Sequence, residues 1–211
     1  MTERIYTAGL VVIGDEILSG RTHDKNIAQI ASWLQVQGIR LAEVRVVPDV
    51  MARIVEAVNA LREAYDYLFT TGGIGPTHDD ITVDAVAEAL GVEVVVHPKA
   101  RAILEKYYAG KPGGLTEARL RMARIPEGAA LIDNPVSTAP GFTLGNVHVM
   151  AGVPAIFEAM VASVLPSLTG GAALLSDSIR VDRPEGEIAG PLGLIAGRYD
   201  DLSIGCYPFQ L

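Results

Sequence analysis

The segment from Ile5 to Ile13 is apolar and rich in β-branched residues, and Gly14, Asp15 and Glu16 stop it at once. A run without polar alternation belongs to a strand covered on both faces, which is the condition of a parallel sheet. The next segments supply the covering layers. Ile27, Ile30, Ala31 and Leu34 stand at helical spacing between Lys25 and Gln37, with Asp24 placed to cap them and Gly38 to end them. Ile39 to Val47 reads as a strand, and Pro48 and Asp49 open a helix whose inner face is Ile54, Val55, Val58 and Leu61. Tyr67 to Thr71 is the next strand, a helix runs from about Thr82 to Leu90 up to Gly91, and Val92 to Val96 gives a fourth strand. Strands alternating with helices of this length imply right-handed crossovers and a parallel sheet with helices on both faces.

Beyond this point the pattern loosens. Pro98 starts a helix lined by Ala100, Ile103, Leu104 and Tyr107, a Gly110–Gly114 loop comes after it, and Thr116 begins a short helix carrying Arg119, Arg121 and Arg124. Pro126 to Gly141 is loop-rich, Gly145 and Asn146 form a hairpin turn between Phe142–Leu144 and Val147–Met150, and Ala155 to Leu165 is a last core helix. Thr169, Gly170 and Gly171 mark a linker, so the main domain is expected over residues 1–168 and a small appendage of strand, helix and strand over residues 172–211.

The chain carries 17 basic against 25 acidic residues, a net charge of -8, which argues against nucleic acid as a partner. The lone Cys206 excludes an internal disulfide and suits packing better than nucleophilic chemistry. No signal peptide is visible at the N-terminus and no apolar run reaches the ~18 residues of a membrane span, so the expectation is a soluble, cytoplasmic protein without membrane contact.

The chemistry concentrates in Thr71, Gly72, Gly73, Ile74, Gly75, Pro76, Thr77, His78, Asp79 and Asp80, between a strand and a helix. Ligands of open α/β sheets bind beyond the carboxyl ends of the strands. Consecutive glycines there let a backbone approach an anion, and Thr71 and Thr77 add hydroxyls. The stretch is neither GxGxxG nor GxxxxGK[ST], the latter because it has no lysine. Turn geometry alone also explains a glycine loop, and Asp79 and Asp80 also suit a helix N-terminus. A second acidic pair, Asp15 and Glu16, with Asp24 and Asn26 shortly after, stands at the end of the first strand. Carboxylates beside a phosphorylated ligand call for a cation, and magnesium is commonly held by one or two carboxylates plus phosphate oxygens. Asn134, Ser137 and Thr138 lie in a Pro-rich turn that offers polar groups to a base or ribose, or only makes a turn. Arg119, Arg121 and Arg124 fit a solvated helix face or a phosphate contact. His78 and His97 lack the spacing of a helical zinc pair.

In order, GDEILSG (Gly14–Gly20), TGGIGPTHDD (Thr71–Asp80), PEGA (Pro126–Ala129) and NPVSTAPGF (Asn134–Phe142) resemble the N-terminal domain of the competence/damage-inducible CinA family, within the MoaB/Mog molybdopterin-binding superfamily. The resemblance covers about Ile5 to Leu168, and the appendage is similar to the family's small α+β extension. It implies a three-layer α/β/α fold with a mostly parallel sheet and a nucleotide-type ligand. It implies hydrolysis of the pyrophosphate of ADP-ribose or a similar dinucleotide, with a divalent metal such as Mg²⁺ or Co²⁺ and with K⁺. Alternatives within the resemblance are molybdopterin binding or adenylylation, or a non-catalytic nucleotide-binding module. Carried over by position, Thr71, Gly72, Gly73 and Gly75 hold phosphate, Asn134 and Thr138 line the pocket, and Glu16, Asp79 and Asp80 hold or orient metal. From the residues themselves, Thr77 joins the phosphate candidates, Ser137 the pocket and Asp15 the metal candidates, and Asp79 and Asp80 serve catalysis. A homo-oligomer, dimer or trimer, is also implied. Two positions depart from the family pattern: Ser137 stands where Gly is usual, and Ala151 where Pro commonly precedes Gly152. Full-length members carry a further deamidase-like domain, for which 211 residues leave no room, so a stand-alone form is expected, naturally short or truncated.

Overall fold

The computed structural model describes residues 4–173, 175–199 and 201–208. The chain divides into a main unit up to residue 174 and a small C-terminal unit from residue 175. Met1–Glu3, the expected Leu174 edge of the appendage and the Leu211 end lie outside the described residues.

β1 (Tyr6–Ile13) is the strand on which the main unit is built, and its lack of alternation has the expected cause. Ala8, Leu10 and Val12 face one core, with Ile30 and Leu34 of α2 (Asn26–Val36) and Phe157, Met160 and Val161 of α7 (Pro154–Val164). Val11 and Ile13 face the other, with Ile54, Val58 and Leu61 of α3 (Met51–Ala64) and Ala85 and Val86 of α4 (Thr82–Leu90). Because side chains alternate between sheet faces, a strand sandwiched between two helical layers must be apolar at every position. The result is the expected three-layer α/β/α sandwich.

β2 (Ile39–Val47), β3 (Tyr67–Thr71), β6 (Ala130–Ile132), β7 (Gly141–Leu144) and β8 (Val147–Met150) complete a six-stranded sheet in the order β2-β1-β3-β8-β7-β6. β2, β1, β3 and β8 run parallel, while β7 and β6 join antiparallel. Strand order reverses at β1, with β2 on one side and β3 on the other. The crevice beyond the carboxyl ends of β1 and β3 is therefore the topological place for a ligand. The β7–β8 hairpin turns at Gly145 (φ 60°), and Asn146 donates through Nδ2 to the carbonyls of Arg62 (2.9 Å) and Tyr65 (3.1 Å), tying the hairpin to the end of α3.

Several local expectations need correction. α3 begins at Met51, leaving Asp49 in the connection after β2. The expected fourth strand is not in the main sheet: β4 (Val94–Val96) pairs antiparallel with β5 (Arg124–Pro126) as a separate two-stranded ribbon. Val92 is spent closing α4, its N–H reaching the Ala87 carbonyl (3.0 Å) around the left-handed Gly91, so too little chain remains for a central strand. One helical turn, α1 (Asp15–Leu18), and β6 arise where loop was expected, both too short to show a period. α5 (Pro98–Tyr108) lies as expected, capped by the His97 ring, whose Nδ1 accepts from the Ala100 N–H (3.3 Å), whereas α6 (Glu117–Leu120) is shorter than expected and carries only Arg119, with Arg121 in a 3-10 turn and Arg124 in β5. In the small unit, the described residues form α8 (Glu185–Ala196) and no strand. The apolar residues expected to pair there, among them Ile179, Val181 and Tyr207, stay exposed.

Candidate functional site at the carboxyl edge of the sheet

The segments singled out in the sequence converge on one sheet edge. Gly14–Glu16 leaves β1, Asp49 comes after β2, the glycine loop leaves β3, and Ala151–Val153 leaves β8. The 133–140 turn joins this edge, because it connects the end of β6 to Gly141, which pairs beside the end of β8.

The glycine loop is held by the helix it leads into. The Thr82 hydroxyl donates to the Gly72 carbonyl (2.9 Å), and the Thr82 N–H donates to the Gly73 carbonyl (3.0 Å). Gly72 (φ 108°) and Gly73 (φ 67°) adopt left-handed backbone. A Cβ would lie 2.1 Å from the Ile13 carbonyl oxygen at the first and 2.1 Å from Thr82 Oγ1 at the second. These glycines are demanded by close approach as well as by φ. Among the described residues, the N–H groups of Gly73, Ile74 and Gly75 donate to no protein acceptor, which leaves a row of backbone donors for an anion.

The two aspartates at the end of the loop play different parts. Asp80 turns its carboxylate back, accepting the Thr77 N–H (2.7 Å) and the Thr77 hydroxyl, and packs against Gly75. It braces the loop, and the Thr77 N–H and hydroxyl are engaged by the two aspartates rather than by a ligand. Asp79 is exposed, and the Thr77 hydroxyl and its own backbone amide hold its carboxyl below the usual range. Asp15 and Glu16 are exposed as well.

Asp49 is a site residue the sequence reading missed. Its carboxylate accepts the Asp15 N–H (3.0 Å). Burial pushes its pKa up, and the like charges of Asp15, Glu16 and Asp79 push it further against that hydrogen bond. Asp15, Glu16, Asp79 and Asp49 therefore share one electrostatic field. The available signal was its place at the end of β2, on the same edge as Asp15 and Asp79. A raised carboxyl pKa weakens the fold as pH rises through it, so Asp49→Asn, which keeps the acceptor and removes the charge, is expected to raise Tm at pH 7 without metal. The gain shrinks as pH falls toward the carboxylate range. A variant less stable than wild type in metal-free buffer would contradict this reading.

Hard oxygen donors suit Mg²⁺. Among the described residues, no group of three or more His, Cys, Asp or Glu side chains stands ready to enclose an ion. The residues thus fit an ion held by one or two carboxylates, from Asp15, Glu16 or Asp79, with phosphate oxygens and water completing its shell, and do not form a closed protein cage.

Asn134 is buried and fully used within its own turn. It donates to Ser137 Oγ (2.6 Å) and the Ala139 carbonyl (2.7 Å) and accepts from the N–H groups of Val136 (3.1 Å) and Ser137 (3.0 Å). Ser137 thereby clasps the turn, and Thr138 takes a left-handed φ of 73°. Ala151 has an N–H that meets Met160 Sδ (3.4 Å). Of the arginines, Arg124 forks onto Asp84, Arg119 lies over the Tyr108 ring (4.3 Å), and Arg121 reaches the Asp80 carbonyl (3.4 Å) behind the loop. Asp24 caps α2 as expected, accepting the Ile27 N–H (2.8 Å). No described helix is long and apolar enough to cross a membrane.

The family described as "Probable molybdopterin binding domain" matches residues 9–170. A protein from Pyrobaculum calidifontis is 40% identical over 193 residues, covering 87% of this chain and 73% of that protein. One from Aeropyrum pernix is 38% identical over 165 residues, and 62% of its length is covered. A CinA-like protein from Citrifermentans bemidjiense is 40% identical over 163 residues, 75% of this chain but only 39% of the relative. Among solved structures, a CinA protein of unknown function from Thermoplasma acidophilum superposes with a TM-score of 0.71 at 35% identity, covering 77% of this chain and 97% of the other. The molybdopterin biosynthesis enzyme MoaB from Thermus thermophilus, at a TM-score of 0.50 and 20% identity, shares the fold over 77% of this chain and 91% of its own.

Proposed function

We propose, from the premise that this chain belongs to the molybdopterin-binding domain family and has CinA-like relatives, that it hydrolyses the pyrophosphate linkage of ADP-ribose or a similar dinucleotide with the help of a divalent metal. One observation carries the reading: mutually repelling carboxylates crowd the edge where a glycine loop offers free N–H donors. An anion cradle ringed by carboxylates is self-defeating unless a cation joins the ligand.

In this reading the N–H groups of Gly73, Ile74 and Gly75 hold phosphate oxygens, and Thr82 and Asp80 keep them aligned. Asp79 stays ionised and suits holding a cation better than carrying a proton. Asp15 and Glu16 supply further oxygens from β1. When bound, a divalent ion neutralises the pyrophosphate and lowers the pKa of an attacking water. Incubation with ADP-ribose, Mg²⁺ or Co²⁺ and K⁺ should release AMP. Asp79→Ala should cut turnover by about 100-fold or more with little change in Tm. Asp80→Ala should lower turnover and Tm together, because it frees the loop. Wild-type turnover in both variants would defeat the assignment.

The family description favours a second reading, in which the same loop binds a molybdopterin; adenylylation of that pterin would be a further step. Quenching of pterin fluorescence on titration supports it, and no response at saturating pterin removes it.

A further inference from the structure

Asn26, the first residue of α2, is 3% exposed at the junction of β3, β8 and the glycine loop. Its Nδ2 donates to Thr71 Oγ1 (2.8 Å) and to the Gly152 carbonyl (2.9 Å). This orientation is forced, since the Gly152 carbonyl can only accept and the Thr71 hydroxyl gives its one proton to the Ala151 carbonyl (3.1 Å). The Asn26 Oδ1 is therefore an acceptor, buried and, among the described residues, without a partner. Capping does not employ it, because Asp24 caps the helix. A buried acceptor left unpaired is costly, and its neighbours are the residues that shape the glycine loop.

We propose that Asn26 is a specificity-determining residue whose Oδ1 accepts a hydrogen bond from an O–H or N–H donor that the ligand carries beside its anionic group. The inference rests on the reading of the glycine loop as an anion site and adds what the ligand must bear next to the anion. A bare phosphate dianion has no proton to give and is repelled by a carbonyl oxygen. A sugar hydroxyl beside a pyrophosphate, or a ring N–H of a phosphorylated pterin, supplies the shared chemistry. The oxygen is closed to water, so the donor reaches it with a shift of Asn26 or of the exposed Gly152 segment bonded to it. A ligand lacking the donor leaves the acceptor unpaired and is rejected.

Calorimetric titration of pyrophosphate, ADP-ribose and a phosphorylated pterin, all with Mg²⁺, into wild type and Asn26→Leu tests this. The affinity advantage of one donor-bearing probe over pyrophosphate should fall roughly 10-fold or more in Asn26→Leu, whose side chain offers no acceptor. The probe whose advantage falls identifies the donor as a sugar hydroxyl or a ring N–H. An advantage unchanged in Asn26→Leu overturns the proposal and leaves the anion site standing. Failure of wild type to bind pyrophosphate overturns both. Should Asn26→Leu not fold, asparagine ¹⁵N-labelled wild type decides: the Asn26 side-chain resonances shift with the donor-bearing probe and not with pyrophosphate, whereas identical shifts for every probe overturn the proposal.

Discussion

Gly72→Ala is expected to destabilise the main unit by about 3 kcal/mol or more, combining strain at φ 108° with a Cβ 2.1 Å from the Ile13 carbonyl oxygen. Neither side can yield cheaply. Ile13 ends the central strand, and the Gly72 N–H is bonded to the Met150 carbonyl (3.1 Å) of β8. For a unit of this size that corresponds to a fall in Tm of roughly 6–12 °C. Gly20→Ala is the matched control, because Gly20 has φ 72° and nothing within 4 Å of a built Cβ. It should lose only about 1 kcal/mol of left-handed strain. Equal losses in the two variants would show that φ alone, and not close approach to β1, fixes the glycine.

The second large effect lies in the core. His148 on β8 is 5% exposed, stacks on Phe69 (5.0 Å between ring centres) and pairs one ring nitrogen with the Thr143 hydroxyl (2.9 Å), leaving Nε2 buried without a partner among the described residues. Burial lowers its pKa from 6.5 to about 4. Between those values the unfolded chain binds a proton that the folded chain refuses, so stability is full above 6.5 and is lost as pH falls toward 4, by about 3 kcal/mol. Urea unfolding of wild type and His148→Phe from pH 7.5 to 4.5 isolates the effect from carboxylate titration, since only wild type contains this ring. The wild-type curve should drop away from the variant's below pH 6.5. Parallel curves would mean that the ring is protonated in place.

The fold was legible because one signal, the apolar run of Ala8–Ile13 in β1, reports burial on both faces, and the helices beside it repeat a clear period. Two of the shortest elements, α1 and β6, were not legible, because neither runs through two full periods of its own pattern. Val92–Val96 reads as a central strand because valine favours strands whether or not a sheet edge is free. The site was half legible. The glycines and the acidic pairs announced a carboxyl-edge anion site, but residue type does not tell which way a carboxylate turns. Asp80 and Thr77 bind each other, and Asn134 is consumed by its own turn. Asp49 was hidden because an acidic residue after Pro reads as a helix start, and its role emerges only when β2 sets it beside Asp15. Asn26 looked like one more polar residue near a helix start, and only the proton bookkeeping around Thr71 singles out its free oxygen.

A cation and a pyrophosphate must meet at this edge if the protein is a metal-dependent pyrophosphatase. Paramagnetic broadening of backbone amides by Mn²⁺, recorded with ¹⁵N-labelled protein and ADP-ribose, reads that position directly. Broadening centred on Gly14–Glu16, Asp49 and Gly72–Asp79, and lost in Asp79→Ala, is the predicted result. Broadening confined to other acidic stretches, such as Asp182–Glu187 of the small unit, or unchanged by Asp79→Ala, would contradict it.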